Sequence, residues 1–198
     1  SNANVSYSNY YSERDRHNST TVTREDSTFT NYNGNLEYND LKDYSLKLDN
    51  EWQLSRQNQL EFGLQATYND IRYEYTQNDT VSVLNRIDQG FTNSVYVQDR
   101  HTFNEKLILK GGLRASHYSV TGKLYAEPRA SLTYLLNDRI KLKAAWGKYL
   151  QFATRIVRED IQQGSRDFWL LANGENVPIG ASAHHIAGAS YETSTWLF

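Results

Sequence analysis

Hydrophobic and polar residues alternate strictly over long stretches of this chain. At 60–68 the even positions are Leu60, Phe62, Leu64, Ala66 and Tyr68, and the odd ones are Glu61, Gly63, Gln65 and Thr67. A half-buried β-strand imposes this period of two, because successive side chains leave opposite faces of the sheet. The preceding segment repeats it, with Tyr44, Leu46, Leu48, Trp52 and Leu54 on one face and Asp43, Ser45, Lys47, Asp49, Glu51 and Gln53 on the other. Only Asn50 interrupts the apolar side. Further apolar faces read Phe91, Val95, Val97, then Leu107, Leu109, Leu113, Ala115, then Ala130, Leu132, Tyr134, Leu136, then Ile140, Leu142, Ala144, Trp146. The pattern predicts an all-β fold of antiparallel strands, each with one buried face.

Strand length separates a membrane sheet from a soluble one. Several runs last about 10 residues or more, against about 5 to 6 for an average globular strand and about 9 to 11 for a tilted strand that crosses a bilayer. The connections sort by length as well. Short polar turns fall at 55–58, 104–106 and 137–138, and long connections at 12–40, 76–90 and 152–183. With strands running alternately up and down, every short turn of that set lies at one end and every long connection at the other, where the tight turn at Thr121 and Gly122 joins them. A transmembrane β-barrel has this plan, with short inner turns and long outer loops. A Greek-key sandwich has no reason to follow it.

Composition agrees with a thin apolar band. The chain has 15 Tyr and 4 Trp, with aromatics at 13%, yet a mean hydropathy of −0.74. A compact globule spends its aromatics on a dense aliphatic core; here they gather near strand ends, as at Tyr44, Trp52, Tyr68, Tyr73, Tyr75, Tyr118, Tyr125, Trp146 and Tyr149, where interfacial girdles are expected. The opposite faces carry Lys47, Asp49, Glu51, Glu61, Gln65, Gln98, Arg100, Lys110, Arg114, Arg129, Lys141 and Lys143. That face points into a wet lumen in a barrel and into bulk solvent in a one-sided sheet, and alternation alone does not choose between them. The net charge of −2, with no block of like charge, gives no nucleic-acid footprint. The absence of Cys removes disulfides, thiolate metal sites and cysteine nucleophiles.

The long connections hold the candidate binding residues. Arg155, Arg158, Glu159 and Asp160 lie among Ile156, Val157 and Ile161 at helical spacing, with Gly164 as a C-cap, which predicts a short helix. Beyond it stand Arg166, Asp167, Phe168 and Trp169, a charged and aromatic cluster suited to an anionic ligand or a sugar ring. Arg155, Arg158, Arg166 and Trp169 are therefore the candidate ligand contacts. Asn33-Gly34, between 28–32 and 35–38, reads as a type I′ hairpin turn in the first long connection. His184 and His185 are adjacent and so point to opposite faces of a strand, which argues against a shared metal. No phosphate loop or nucleophile elbow occurs, so no catalytic residue, cofactor or metal is expected.

Some segments resemble a known family. They are Glu127-Pro128-Arg129-Ala130-Ser131-Leu132-Thr133-Tyr134, Leu136-Asn137-Asp138-Arg139-Ile140-Lys141-Leu142-Lys143-Ala144 and Trp146-Gly147-Lys148-Tyr149-Leu150-Gln151, followed by Ala183-His184-His185-Ile186-Ala187-Gly188-Ala189-Ser190-Tyr191-Glu192. In order and separation they are similar to the TonB-dependent outer-membrane receptors. There a strand opening with a proline-arginine pair turns through a short asparagine/aspartate hairpin into a strand ending glycine, basic residue, tyrosine. The resemblance implies the bacterial outer membrane, a barrel of about 22 strands with an N-terminal plug, and uptake of a scarce nutrient. It also implies a TonB-type energy-coupling partner, and it brings no catalytic residues.

The chain departs from that family in length, at about eight strands, and in showing neither a plug nor a coupling motif. Residues 1–3 read as an expression-tag remnant and 4–198 as a partial barrel domain, and the apolar end at 194–198 reads as a cut. The expected partners are a small nutrient ligand, outer-membrane lipid and the coupling protein through a region not in this sequence, with no nucleic acid. An isolated open segment is expected to self-associate. Two alternatives stay open: a soluble β-sandwich or barrel that binds carbohydrate, and an adhesin-like surface barrel.

Overall fold

A computed structural model describes residues 1–24, 27–78, 81–158 and 166–192. The strands are β1 (Asn2–Arg24), β2 (Ser27–Gln53), β3 (Asn58–Gln77), β4 (Val81–Phe103), β5 (Leu107–Tyr118), β6 (Lys123–Leu135), β7 (Ile140–Gln151), β8 (Ala153–Arg158), β9 (Arg166–Leu171) and β10 (Gly180–Tyr191). Eight of them form one antiparallel meander in the order β1-β2-β3-β4-β5-β6-β7-β10, and β8 and β9 pair as a separate hairpin. The eight strands thus make a single half-barrel sheet, where a sandwich would split them into two facing sheets. Its edges are β1 and β10. The turns at one end are as short as expected: Leu54 and Ser55 bond back to the Asn58 carbonyl, and Asn137 closes the β6–β7 turn through its side chain to the amides of Arg139 and Ile140.

Register turns the alternation into two walls. Leu48 of β2 lies opposite Leu64 of β3, which lies opposite Val95 of β4. This outer wall leaves Leu46, Leu64, Val95, Val97, Leu113, Leu132 and Leu142 all more than a third exposed, which suits lipid and would be costly in water. A row of rings crosses its upper edge. Tyr7, Tyr44, Tyr68 and Phe91 sit opposite one another on β1 to β4, with centroids 5.0, 6.1 and 4.6 Å apart. From this row down to Leu60 the apolar side of β3 runs about 27 Å along the strand. Tilted by about 40°, it covers a height of about 21 Å, most of the roughly 25 Å band of outer-membrane barrels.

Above the ring row the two faces exchange character. On β3 the outward positions become Asp70, Arg72 and Glu74, while the inward ones, Ile71, Tyr73 and Tyr75, are at most 5% exposed. Outside the bilayer the outer wall meets water, and the inner wall acquires a small core of its own. Most of the buried apolar side chains among the described residues lie at this end.

Three sequence expectations are corrected here. Residues 12–40 and 76–90 are not loops for most of their length, because β1 to β4 run on past the membrane level. Asn33-Gly34 is not a turn: both residues lie inside β2, opposite Asn18 and His17, in a pairing that runs on as far as Arg24 and Ser27. Continuous pairing of β1 with β2 outweighs one local turn signal. The amide of Gly34 donates instead to the Asn78 side chain at 3.0 Å, and the exposed His17 ring lies over its Cα. The helix expected from Arg155 is strand β8, and no helix occurs among the described residues. Ile156 and Val157 are β-branched, and β9 supplies their partners. Glu159, Asp160, Ile161 and Gly164 lie outside the described residues, as do 194–198.

Candidate functional site

The β8–β9 hairpin leans on the inner wall above the ring row. Phe168 stacks on Tyr73 with centroids 4.6 Å apart and planes at 25°. The Tyr73 hydroxyl donates to the buried Glu37 carboxylate at 2.7 Å. Asn39 donates from its side chain to the Asp167 carbonyl at 3.2 Å, and the Leu171 amide donates to the Asp88 carboxylate at 3.3 Å. Leu170, Ala172 and Val177 form a buried cluster with Ile156, Phe168 and Ile179 around them. Phe152, just before the hairpin, packs against Tyr118 at 4.5 Å and Tyr125 at 5.3 Å. The hairpin is therefore anchored on two sides, to β2–β4 and to β5–β6.

Each candidate ligand contact lies on this hairpin. Arg155 and Trp169 face each other in register, as do Arg158 and Arg166 at the far end. The side chains of Arg158 and Arg166 lie outside the described residues. Arg155 forms a two-pronged ion pair with Asp167, its Nε donating to Oδ1 at 2.6 Å and its terminal nitrogen to Oδ2. Trp169 is half-buried beside it. One of the four candidates is thus already engaged by a neighbouring carboxylate, an engagement that spacing does not reveal because it depends on the β8–β9 register.

The Arg155 guanidinium holds the Asp167 carboxyl below its usual value of 3.8. A depressed folded-state pKa contributes stability above the unfolded value, and that contribution is lost as the pH falls through the depressed one. Hydrogen exchange of the β8–β9 amides should therefore quicken as the pH drops below about 3.8, after correction for intrinsic rates. Asp167→Asn should raise hairpin opening by roughly threefold at neutral pH, the scale of an exposed pair, and remove that acid dependence. An unchanged acid profile in Asp167→Asn would assign the effect elsewhere.

At membrane level the inner wall is a network of charges. Arg114 donates to the Gln65 side chain at 2.9 Å and to Ser94 at 3.1 Å, and pairs with Glu127 at 3.5 Å. Glu127 also accepts from the Leu150 amide at 2.8 Å. Lys110 and Gln98 meet on Glu61 at 3.0 and 2.8 Å, Lys47 pairs with Asp49 at 2.9 Å, and Tyr96 donates to the same carboxylate. Charges at bilayer depth persist where they pair or face a wet interior, and these do both. Glu127 is the residue that sequence reasoning passed over. Its parity with Arg129 was the available signal, since residues two apart on a strand share a face. His184 turns inward, 4.9 Å from the Tyr149 ring, while His185 lies opposite the outward Trp146. Among the described residues no group of three His, Asp or Glu converges to hold a metal.

A meander with a lipid-facing band, a ring row and a charged inner wall defines a sheet of a transmembrane β-barrel. A sequence model of the TonB-dependent receptor-like β-barrel family matches residues 1–176, and the chain belongs to that family, whose place is the bacterial outer membrane. No match is found among curated proteins. Among solved structures the chain is similar to the siderophore receptor PirA from Pseudomonas aeruginosa, with a TM-score of 0.58 and 16% identity over 96% of this chain and 38% of that one. It is also similar to a mutant of the ferric enterobactin receptor PfeA from Pseudomonas aeruginosa, with a TM-score of 0.57 and 12% identity over 96% of this chain and 33% of that one. A second PfeA mutant, in complex with enterobactin, gives 0.56 and 12% over 96% and 34%. At such identities the likeness is one of fold, and the chain spans about a third of the length of these receptors.

Proposed function

We propose that this chain is part of the barrel of a receptor that captures a scarce nutrient at its outer mouth and imports it with energy passed from the inner membrane through a TonB-type protein. The observation that carries this reading is the β8–β9 hairpin, seated inside the outer mouth above a charged and wet inner wall. It presents Trp169 there beside the Arg155–Asp167 pair, with Arg158 and Arg166 at its end, and an aromatic ring with a guanidinium that a ligand carboxylate or phosphate could take over from Asp167 suits a large anionic ligand. The names of PirA and PfeA make a ferric siderophore the first ligand class to try.

The test uses the full-length receptor in its own outer membrane. Deleting it should abolish growth on one scarce nutrient supplied as sole source, and the intact gene should restore growth only while energy coupling is active. Replacing Trp169 by Ala should weaken ligand binding about tenfold or more while the receptor stays assembled. Unchanged uptake after deletion, with loss of surface attachment instead, would turn the reading toward an adhesin-like barrel.

The 198-residue piece alone has two open strand edges and a lipid-facing wall. We expect it to associate in detergent-free buffer, because unpaired edges and apolar faces both seek partners. Light scattering that shows a monodisperse monomer would contradict this.

A further inference from the structure

The ladder between β6 and β7 is incomplete. Its last rung joins Arg129 to Gly147, so residues 123–128 of β6 and 148–151 of β7 have no rung between them. β6 stays paired with β5 as far as Lys123 and Tyr118, and β7 with β10 as far as Gln151 and Gly180. The two pairs of strands therefore part above Gly147. Pro128 is the first residue past the last rung, and it has no N–H to bring to a ladder. The Leu150 amide donates to the Glu127 carboxylate at 2.8 Å, so a side chain stands where the next strand would. The seam is closed below by the Arg129–Gly147 rung and above by Phe152, packed on Tyr125 and Tyr118 at 5.3 and 4.5 Å. It is about 17 Å long, at roughly 3.3 Å for each of its residues.

The two sides of the seam differ. Backbone without a ladder is tolerated at bilayer depth only where it lines a wet cavity, and on the inner side there is an open cleft of about 450 Å³ bordered by Arg114, Glu127, Arg129, Leu150 and Phe152. Glu127 is satisfied there by Arg114 at 3.5 Å and by the Leu150 amide. Arg129 has no carboxylate partner among the described residues, and only reaches over the Tyr149 ring, 5.9 Å from its centroid. On the lipid side, parity puts Leu124, Ala126 and Pro128 on one lip and Leu150 on the other. Lys148, which the next rung would have set opposite Pro128, adds a cation at the entrance from the lipid.

We propose that the seam between β6 and β7 is a lateral binding site for a single-chain alkyl carboxylate drawn from the membrane, its head on Arg129 in the cleft and its chain lying between Pro128 and Leu150 toward the lipid. The unmatched guanidinium selects an anionic head and binds a carboxylate through charge-assisted hydrogen bonds. The apolar lips take an alkyl chain, and a gap one side chain wide admits one chain where a diacyl lipid would bring two. The site needs only the barrel in its membrane, and stands apart from the nutrient reading above.

The test uses the full-length receptor in lipid nanodiscs, without detergent, which is itself an amphiphile. The probe is palmitate carrying a photoreactive diazirine halfway along its chain. After illumination, peptide mass analysis should find the adducts concentrated on 124–128 and 148–150. Unlabelled palmitate should displace them, and butyrate, with the same head and almost no chain, should not. R129Q should lower the yield about tenfold or more, the scale of a lost charge-assisted hydrogen bond, while R129K should keep about half of it or more. Adducts spread evenly over the lipid face, Leu64 and Val95 included, overturn the inference. So does an undiminished yield in R129Q, or displacement by hexadecylamine as strong as that by palmitate. Heat-modifiable gel mobility checks that each variant forms the barrel; if R129Q does not, the butyrate and hexadecylamine competitions on the unaltered receptor decide.

Discussion

Leu64→Arg in the intact receptor is expected to lower barrel stability by about 2–4 kcal/mol, the cost of a cation on the lipid face near the bilayer midplane. Leu64 stands midway between Leu60 and Tyr68, is 42% exposed on the outer wall, and is flanked in register by Leu48 and Val95. Thr67→Arg, three residues away on the inner wall, should cost less, about 1–2 kcal/mol, because the new charge enters a wet interior and gives up two part-exposed side-chain hydrogen bonds. These are the 3.1 Å contact with Ser45 and the one accepted from Gln65 at 3.3 Å. Urea titration of the receptor folded into lipid vesicles, read by heat-modifiable gel mobility, measures both. Equal losses would mean that the two walls have been assigned wrongly.

Tyr73→Ala should release the β8–β9 hairpin. Tyr73 is 1% exposed, stacks on Phe168 and donates to Glu37, so truncation removes a buried ring, worth about 3–5 kcal/mol, and leaves a buried carboxylate short of a donor. Tyr73→Phe keeps the ring and removes only the hydroxyl, for about 1–3 kcal/mol. Hydrogen exchange over β8 and β9 (Ala153–Arg158 and Arg166–Leu171) should show near-complete loss of protection in the Ala variant and partial loss in the Phe variant, with β2 to β5 unchanged at membrane level. A hairpin that stayed protected in Tyr73→Ala would have to be held by the Phe152 contacts with Tyr118 and Tyr125.

The membrane-level strands were legible because one physical rule governs them: lipid on one side and water on the other force alternation at period two. Above the bilayer the rule still holds with its sign reversed, and the reversal reads as an ending. Ile71, Tyr73 and Tyr75 continue β3 on the parity that had been polar, and across the membrane surface residues 81–90 of β4 keep no unbroken apolar face, with Asn85, Arg86, Asp88 and Gln89 among Leu84 and Ile87, so 76–90 looked like a loop. At Asn33-Gly34 a local turn preference lost to a pairing 23 residues long, a contest that no window of the sequence displays. Arg155 and Trp169 were recognisable as chemistry on one outer segment, yet Asp167 as the partner of Arg155 emerges only from register. The same holds for Glu127, whose contacts come from β5 and the end of β7.

The exchange of faces at the ring row also bears on assembly. Were β3 to pair with β4 one residue out of step, Leu64 would turn into the wet interior and Tyr73 into the water outside, so the error would be penalised on both sides of the membrane surface at once. A slip of two residues restores inside and outside but takes Tyr68 away from Tyr44 and Phe91. Errors of parity and errors of height are thus opposed by different residues. A strand of 20 residues, whose length invites mispairing, carries its own proofreading in where its colours change.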